Sequence, residues 1–275
     1  MVGRTTKLMV FVALAVVGSA CGAQAPTATN TTATSAKSAG LPQKTSSQFL
    51  FPVSAALRYF GPHESMPLLA PFTLSPNLSA TATVTKSGYK VRLYRCNSQL
   101  PLNSPEIAQP PNCSGLAPYI GDFGGTHYPT AATAKLRLSS SQSQHPGSCG
   151  PNITSSHKVS LAQGVLGVLD STKDASGYCA MRFQFKGWSV LISGAALYSI
   201  SEAKREGLGV IDQMAKIRLP AKNGVVTIQT AGDGNHTWLT WLLGQDLYTV
   251  SGYHSSSSAF VMAGSTAVVS KGSPK

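Results

Sequence analysis

The sequence lacks the short motifs that mark common enzyme classes. It contains no GxSxG nucleophile elbow, no HExxH zinc motif and no Walker-type phosphate loop. Its 10 acidic residues are scattered along 275 positions, so no paired-carboxylate site is indicated. We therefore expect a protein that is not an enzyme and that carries no cofactor.

Metal and nucleic-acid binding also lack support. The five cysteines contain no CxxC pair and the six histidines show no ligand spacing, so we predict no metal site. The net charge is +12, yet only 12% of residues are charged and the basic ones do not cluster with aromatic residues. This pattern predicts no nucleic-acid binding. A positive net charge would attract the protein to anionic lipids and wall polymers. The alternative is that the excess of Lys and Arg only keeps the protein soluble.

A hydrophobic run long enough to span a membrane is missing as well. The apolar run from Leu8 to Val17 has ten residues, follows Arg4 and Lys7, and leads into small residues. A membrane-spanning helix needs about 20 apolar residues, whereas a secretory signal needs about ten with a basic flank. We predict that residues 1–20 are a signal peptide. The alternative is a buried N-terminal helix of the mature fold, for which no cap is visible.

The end of this run resembles the lipobox of bacterial lipoproteins, in which small residues precede a cysteine that becomes lipidated. Ser19, Ala20 and Cys21 match the pattern, while Gly18 stands where an aliphatic residue is usual. The resemblance implies an exported protein attached by Cys21 and its acyl chains, palmitate among them, to the outer face of the cell membrane. Ordinary signal cleavage near Ala20 or Ala23, giving a secreted protein, is the alternative.

A flexible tether is predicted for residues 21–47. After the cysteine this segment consists mainly of Ala, Thr, Ser, Pro, Gln and Lys, with no aromatic or acidic residue. Such a composition cannot bury enough apolar surface to offset the entropy of ordering. Random-coil scaling gives a reach of about 25 to 30 Å, which would hold a globular body away from a membrane.

Four cysteines remain once Cys21 is assigned to lipid, and an even number in an exported chain predicts two disulfides. Three pairings are open. We favour Cys96 with Cys113 and Cys149 with Cys179, because sequential pairing closes short loops.

The body is predicted to be α+β, with antiparallel sheets in a β-rich part, 48–160, and an α+β part, 161–275. Whether these form one domain or two is left open. Strands are indicated by alternating β-branched, aromatic and polar residues. The segment Gly121 to Thr126 contains the DFG tripeptide of kinases without their other motifs, so we predict a turn there. A polar loop is expected from Ser139 to Ser156. The predicted strands are 79–86, 89–95, 164–170, 178–186, 189–193, 225–229, 236–243 and 247–252.

One long amphipathic helix is predicted over about 199–217. Ser199 and Glu202 have the spacing of a capping box, apolar residues recur at helical intervals, and Pro220 ends the pattern. A short C-terminal helix is expected after Ser255.

The C-terminal order of strands, with Trp238 and Trp241 before Tyr248 to Gly252 and a small-residue helix, is similar to domains of unknown function in bacterial surface lipoproteins and anti-sigma-factor tails. This resemblance covers about 50 residues. It implies a half-barrel or an open sheet crossed by helices, and it transfers no site.

Two functional hypotheses follow. The first is a non-enzymatic binding or sensory module of the bacterial envelope, whose partner is an anionic envelope polymer or an envelope protein. Its candidate ligand-binding residues are Trp188, Trp238, Trp241, Tyr248 and His236, although strand-centred tryptophans also suit a hydrophobic core. The second is an envelope-directed hydrolase with a site around His236 and Asp233.

Overall fold

The computed structural model describes residues 40–60, 66–75, 77–108, 112–113, 119–141, 149, 153–173, 177–194, 196–232 and 234–270. All of them belong to one unit, Ala36–Lys275. The described residues form an α+β fold with thirteen strands and four α-helices. None of these helices is both long enough and apolar enough to cross a bilayer.

The helices and strands alternate in three groups along the chain. The first runs β1 (Gln43–Thr45), α1 (Val53–Phe60), β2 (Leu69–Pro71), β3 (Leu78–Thr85), β4 (Gly88–Arg95), β5 (Tyr119–His127) and α2 (Ala131–Ser140). The second runs β6 (Ile153–Ser160), β7 (Leu166–Thr172), β8 (Ala180–Phe185), β9 (Trp188–Gly194) and α3 (Ile200–Lys216). The third runs β10 (Gly224–Ala231), β11 (Gly234–Leu243), β12 (Asp246–Gly252), α4 (Ser256–Gly264) and β13 (Thr266–Ser270).

Ten strands form one sheet in the order β3-β4-β5-β12-β11-β10-β9-β8-β7-β6. Three antiparallel meanders, β3 to β5, β6 to β9 and β10 to β12, make up this sheet. The outer two join the third through the antiparallel pair β5 and β12 and the parallel pair β9 and β10. The parallel pair is possible because α3 carries the chain back between β9 and β10. A smaller sheet has the order β1-β13-β2.

One face of the large sheet, called the inner face, carries the core. Opposed residues of paired strands share a face, so the apolar positions of neighbouring strands form continuous rows. The helices α1, α3 and α4 and strand β2 pack on this face. Its buried residues include Tyr89, Val91, Phe123, Tyr248, Val250, Leu239, Trp241, Val226, Ile228, Val190, Ile192, Trp188, Met181 and Phe183.

The predicted turn at Gly121 to Thr126 is wrong, because this segment lies inside β5 and pairs with β4 on one side and β12 on the other. Glycines occupy this strand because neighbouring groups leave no room for side chains. A Cβ atom on Gly125 would lie 2.9 Å from the ring of Tyr248. These glycines therefore allow close packing of the strands. Composition alone does not distinguish glycines used for packing from glycines used in a turn.

Two further segments differ from the sequence-based expectation. The polar loop predicted to Ser156 already contains the start of β6 at Ile153, and helix α2 was not predicted. Helix α2 begins at an N-cap, Thr130, whose side chain accepts a hydrogen bond from the backbone N–H of Thr133. Only Ala134 is buried on this helix, so it has almost no apolar periodicity to detect.

The predicted tether extends too far, since Gln43–Thr45 form β1 and pair in parallel with β13. Backbone hydrogen bonds need no apolar side chains, and a polar composition therefore does not exclude a strand. Residues 1–20, Cys21 and the rest of the tether before residue 40 lie outside the described residues.

The two disulfides join Cys96 to Cys113 and Cys149 to Cys179, which is the favoured pairing. The loop that the first bridge closes also covers the outer edge of β3. There the Asn103 side-chain oxygen accepts from the backbone N–H of Ala82 at 2.6 Å. This edge of the sheet is therefore shielded from pairing with another strand.

Candidate functional site

Three of the five candidate ligand-binding residues lie in the core. Trp188, Trp241 and Tyr248 are at most 1% exposed. The Trp188 Nε1–H donates to the Ala221 carbonyl at 3.0 Å, and the rings of Trp241 and Tyr248 are stacked with their centroids 6.0 Å apart. These residues stabilise the inner face and present no surface to a ligand.

The other two, His236 and Trp238, lie on the opposite, outer face of β11. They are two residues apart, so their side chains point the same way. Their rings are stacked, with centroids 3.7 Å apart and planes inclined by 29°. The rings of Tyr253 and Tyr119 form T-shaped contacts with His236, with centroids 5.3 Å and 6.4 Å away. Both His236 and Trp238 are half-buried, and the Nε2 atom of the His236 ring is buried.

A depression opens on the other side of Trp238, between β11, β12 and α2. The next residue on this face of the strand is Thr240, which is much smaller than Trp238 and hydrogen-bonds to Thr249 with 3.2 Å between the hydroxyl oxygens. The drop in side-chain size leaves a cavity of about 340 Å³. It is lined by Tyr128, Arg137, Ser141, Trp238, Thr240, Leu247 and Thr249.

A second depression, of about 240 Å³, adjoins the first along β4 and β5. Trp238, Leu247 and Thr249 line both, so the two form one depression across the sheet, which we call the outer trough. The trough is deeper at Gly124 because this residue has no side chain. A Cβ atom at this position would clash with the Tyr89 backbone. The second depression is lined by Tyr89, Lys90, Asp122, Gly124, Gly125, Thr126, Trp238, Leu247 and Thr249.

The carboxylate of Asp122 lies at the β4 end of the outer trough and binds two neighbouring side chains. Asp122 is buried and binds the Lys90 ammonium at 2.8 Å, and it accepts a hydrogen bond from the Tyr119 hydroxyl at 2.7 Å. Burial, and then the negative charge of Asp122, raise the pKa of Tyr119. Tyr119 therefore stays protonated and donates to Asp122, while Lys90 reaches solvent.

Sequence reasoning missed Lys90, Asp122 and Arg137. The alternation in Tyr89 to Arg95 does show that Lys90 faces away from the core, but its neighbour Asp122 was assigned to a turn. Arg137 lies on the helix that has no apolar periodicity. Lys90, Asp122 and Arg137 come close to Trp238 only because strands that are far apart in the sequence pair in the sheet.

A histidine–carboxylate pair does occur, but away from His236. His127 Nδ1 and Asp246 Oδ1 are 2.7 Å apart where β5 pairs with β12. Burial raises the pKa of Asp246, and the hydrogen bond to His127 opposes that rise. No described hydroxyl is hydrogen-bonded to His127. The pair links the side chains of the neighbouring strands β5 and β12. Asp233, the proposed partner of His236, lies outside the described residues.

The described part of the chain contains no group of three or more His, Cys, Asp or Glu residues that could hold a metal ion. The outer trough is instead a surface of ring faces, hydroxyls and cations. Comparison of the chain with protein-family models, curated proteins and solved structures gave no match.

Proposed function

We propose that this protein is an exported, lipid-anchored binding module of the bacterial envelope, and that the outer trough is its ligand site. The observation that carries the proposal is the position of Trp238, which is half-buried and lines both depressions of the trough. Aromatic residues with adjoining polar groups are typical of binding sites.

Export is supported by the signal-like residues 1–20 and by two disulfides in the body. Disulfides persist in oxidising compartments and are rare in the cytosol. The lipobox-like end at Cys21 then indicates attachment to the outer face of the membrane. The partner is an anionic envelope polymer or an envelope protein, which the positive net charge of +12 would attract.

Binding without catalysis is supported by the role of Asp122. This carboxylate is occupied by Lys90 and Tyr119, so it shapes the trough. The hydrolase hypothesis depends on Asp233, which lies outside the described residues, and it stays a prediction.

Replacing Trp238 with alanine tests the ligand site. The chain used carries Cys21→Ser, so that no lipid anchor contributes to retention. We expect its retention on envelope fractions to fall by about 30-fold, because truncating a central aromatic residue of an interface costs about 2 kcal/mol or more. The dissociation constant would be measured by sedimentation with isolated envelope material. Tyr198→Ala is the matched control, since Tyr198 is 63% exposed and does not line the trough. Equal retention of both variants would contradict the proposal.

Replacing Cys21 with serine tests the anchor. A serine has no thiol to acylate, so the protein should move from the membrane fraction to the soluble exported fraction and lose labelling by a palmitate analogue. Immunoblots of fractionated cells report the shift. Ser19→Ala serves as the control, because it keeps a small residue before the cysteine. Membrane association that persists in Cys21→Ser would refute lipid attachment.

A further inference from the structure

The depression between Trp238 and α2 has the composition of a site for a charged sugar. We propose that it binds a pyranose unit carrying one anionic group, with the sugar ring against Trp238 and the anion on Arg137. This inference rests on the proposed function and names the chemical class of its ligand: an acidic glycan.

The shape of the depression favours a flat ring of modest size. Trp238 forms one wall, and His236 covers its other side by stacking at 3.7 Å between centroids. The stacking holds the indole in place, and the small Thr240 side chain does not fill the depression that both residues line. The volume of about 340 Å³ falls at the lower end of the range for ligand pockets, roughly 300 to 1,000 Å³.

Four residues of the lining, Tyr128, Ser141, Thr240 and Thr249, carry hydroxyls. The Ser141 hydroxyl donates to the Leu138 carbonyl, and the hydroxyls of Thr240 and Thr249 are bonded to each other. A hydroxyl that donates within the protein still has a lone pair to accept with, so such a lining can accept hydrogen bonds from the hydroxyls of a sugar. An aromatic wall with a hydroxyl-lined floor therefore suits an amphipathic ring better than it suits an acyl chain.

The positive charge in the lining favours a ligand that carries an anionic group. Arg137 is the one charged residue that lines this depression within the described part of the chain, and no described ion pair involves it. A guanidinium presents a fork of N–H groups that matches a carboxylate or a phosphate. An exposed arginine next to an aromatic ring can hold the acid of a sugar whose ring is stacked.

The adjoining depression offers space for a second sugar unit of the same ligand. It shares Trp238 with the first and contains Lys90, whose ammonium is held beside Asp122 and is still half-exposed. A second residue of the same glycan would lie over Gly124, where the absence of a side chain lowers the floor. The outer trough thus fits an oligomer better than a single sugar.

The test is calorimetric titration of the full-length chain with three oligomers of equal length: tetragalacturonate, a phosphorylated maltotetraose and neutral maltotetraose. We expect both acidic oligomers, or one of them, to bind at least tenfold more tightly than the neutral one. The stronger acidic oligomer identifies carboxylate or phosphate as the anion.

Arg137→Gln should weaken the acidic oligomer about tenfold and leave the neutral one unchanged, since a charge-assisted hydrogen bond is removed. Lys135→Gln is the matched control, because it removes one positive charge from the same helix without lining the depression. Circular dichroism and the thermal midpoint confirm that both variants are folded. Equal binding by Arg137→Gln and the unsubstituted chain, or neutral and acidic oligomers of equal affinity, would overturn the inference.

The two proposals fail in different ways. If none of the oligomers binds while envelope retention still depends on Trp238, the ligand class is wrong and the binding site stands. If retention does not depend on Trp238, the proposed function itself is wrong.

Discussion

Replacing Trp188 with alanine is expected to lower the free energy of unfolding by about 3 to 5 kcal/mol, the range for truncating a large aromatic side chain in a core. Trp188 is fully buried at the start of β9. Its ring lies over Gly224, the residue opposite it on β10, where a Cβ atom would come within 2.7 Å of the indole. The substitution therefore leaves a cavity with glycine on one side.

A hydrogen bond is lost as well. The indole N–H of Trp188 donates to the Ala221 carbonyl, which then needs another donor. Urea denaturation followed by far-UV circular dichroism measures the loss. Trp238→Ala is the informative comparison. Trp238 is half-buried on the outer face, so its truncation should cost less stability while weakening envelope binding about 30-fold. Similar stability losses in the two variants would contradict a core position for Trp188 and a surface position for Trp238.

Removing the bridge between Cys149 and Cys179 should cost about 3 to 4 kcal/mol, on the loop-entropy estimate for a cross-link of this span. The two cysteines are 30 positions apart, so the bridge restricts a long loop in the unfolded chain. The double variant Cys149→Ser with Cys179→Ser would be compared with the unsubstituted chain in oxidised and reduced forms. The two forms of the double variant should then differ only by the other bridge.

The second bridge provides an internal control. Cys96 and Cys113 are 17 positions apart, and the same estimate gives about 3 kcal/mol for the variant Cys96→Ser with Cys113→Ser. Thiol titration of the exported, unfolded protein adds a direct check. Four free thiols in that assay would contradict both disulfides and remove one of the supports for export.

Regular alternation predicted much of the sheet. The hairpin of β3 and β4, the pair β8 and β9, and the meander β10 to β12 lie close to their predicted bounds. In β4 and β8 the apolar residues of one face are buried and those of the other face are mostly exposed, so these strands show a period of two in the sequence. Strands β9 and β10 are buried on both faces and were recognised by their β-branched and apolar residues. The same rule failed for β5, where glycines take the place of side chains.

The candidate site was predicted only in part. Trp238 and His236 were named because they stand out as aromatic residues in a strand, but the sequence offered no reason to separate Trp238 from Trp188 and Trp241. Burial separates them. Trp241 and Trp238 are three positions apart on β11, so they point to opposite faces, and only the helices packed on the inner face determine which tryptophan is covered.

By itself, the sequence determined the local properties of this protein: an N-terminal run too short to span a membrane, a polar segment after it, and strands with one apolar face. These follow from composition and periodicity, which depend only on neighbouring residues. The tertiary structure decided that Lys90, Asp122, Arg137 and Trp238 surround one trough. Pairing β5 with both β4 and β12 brings residues more than a hundred positions apart together, and no local pattern records which strands will meet.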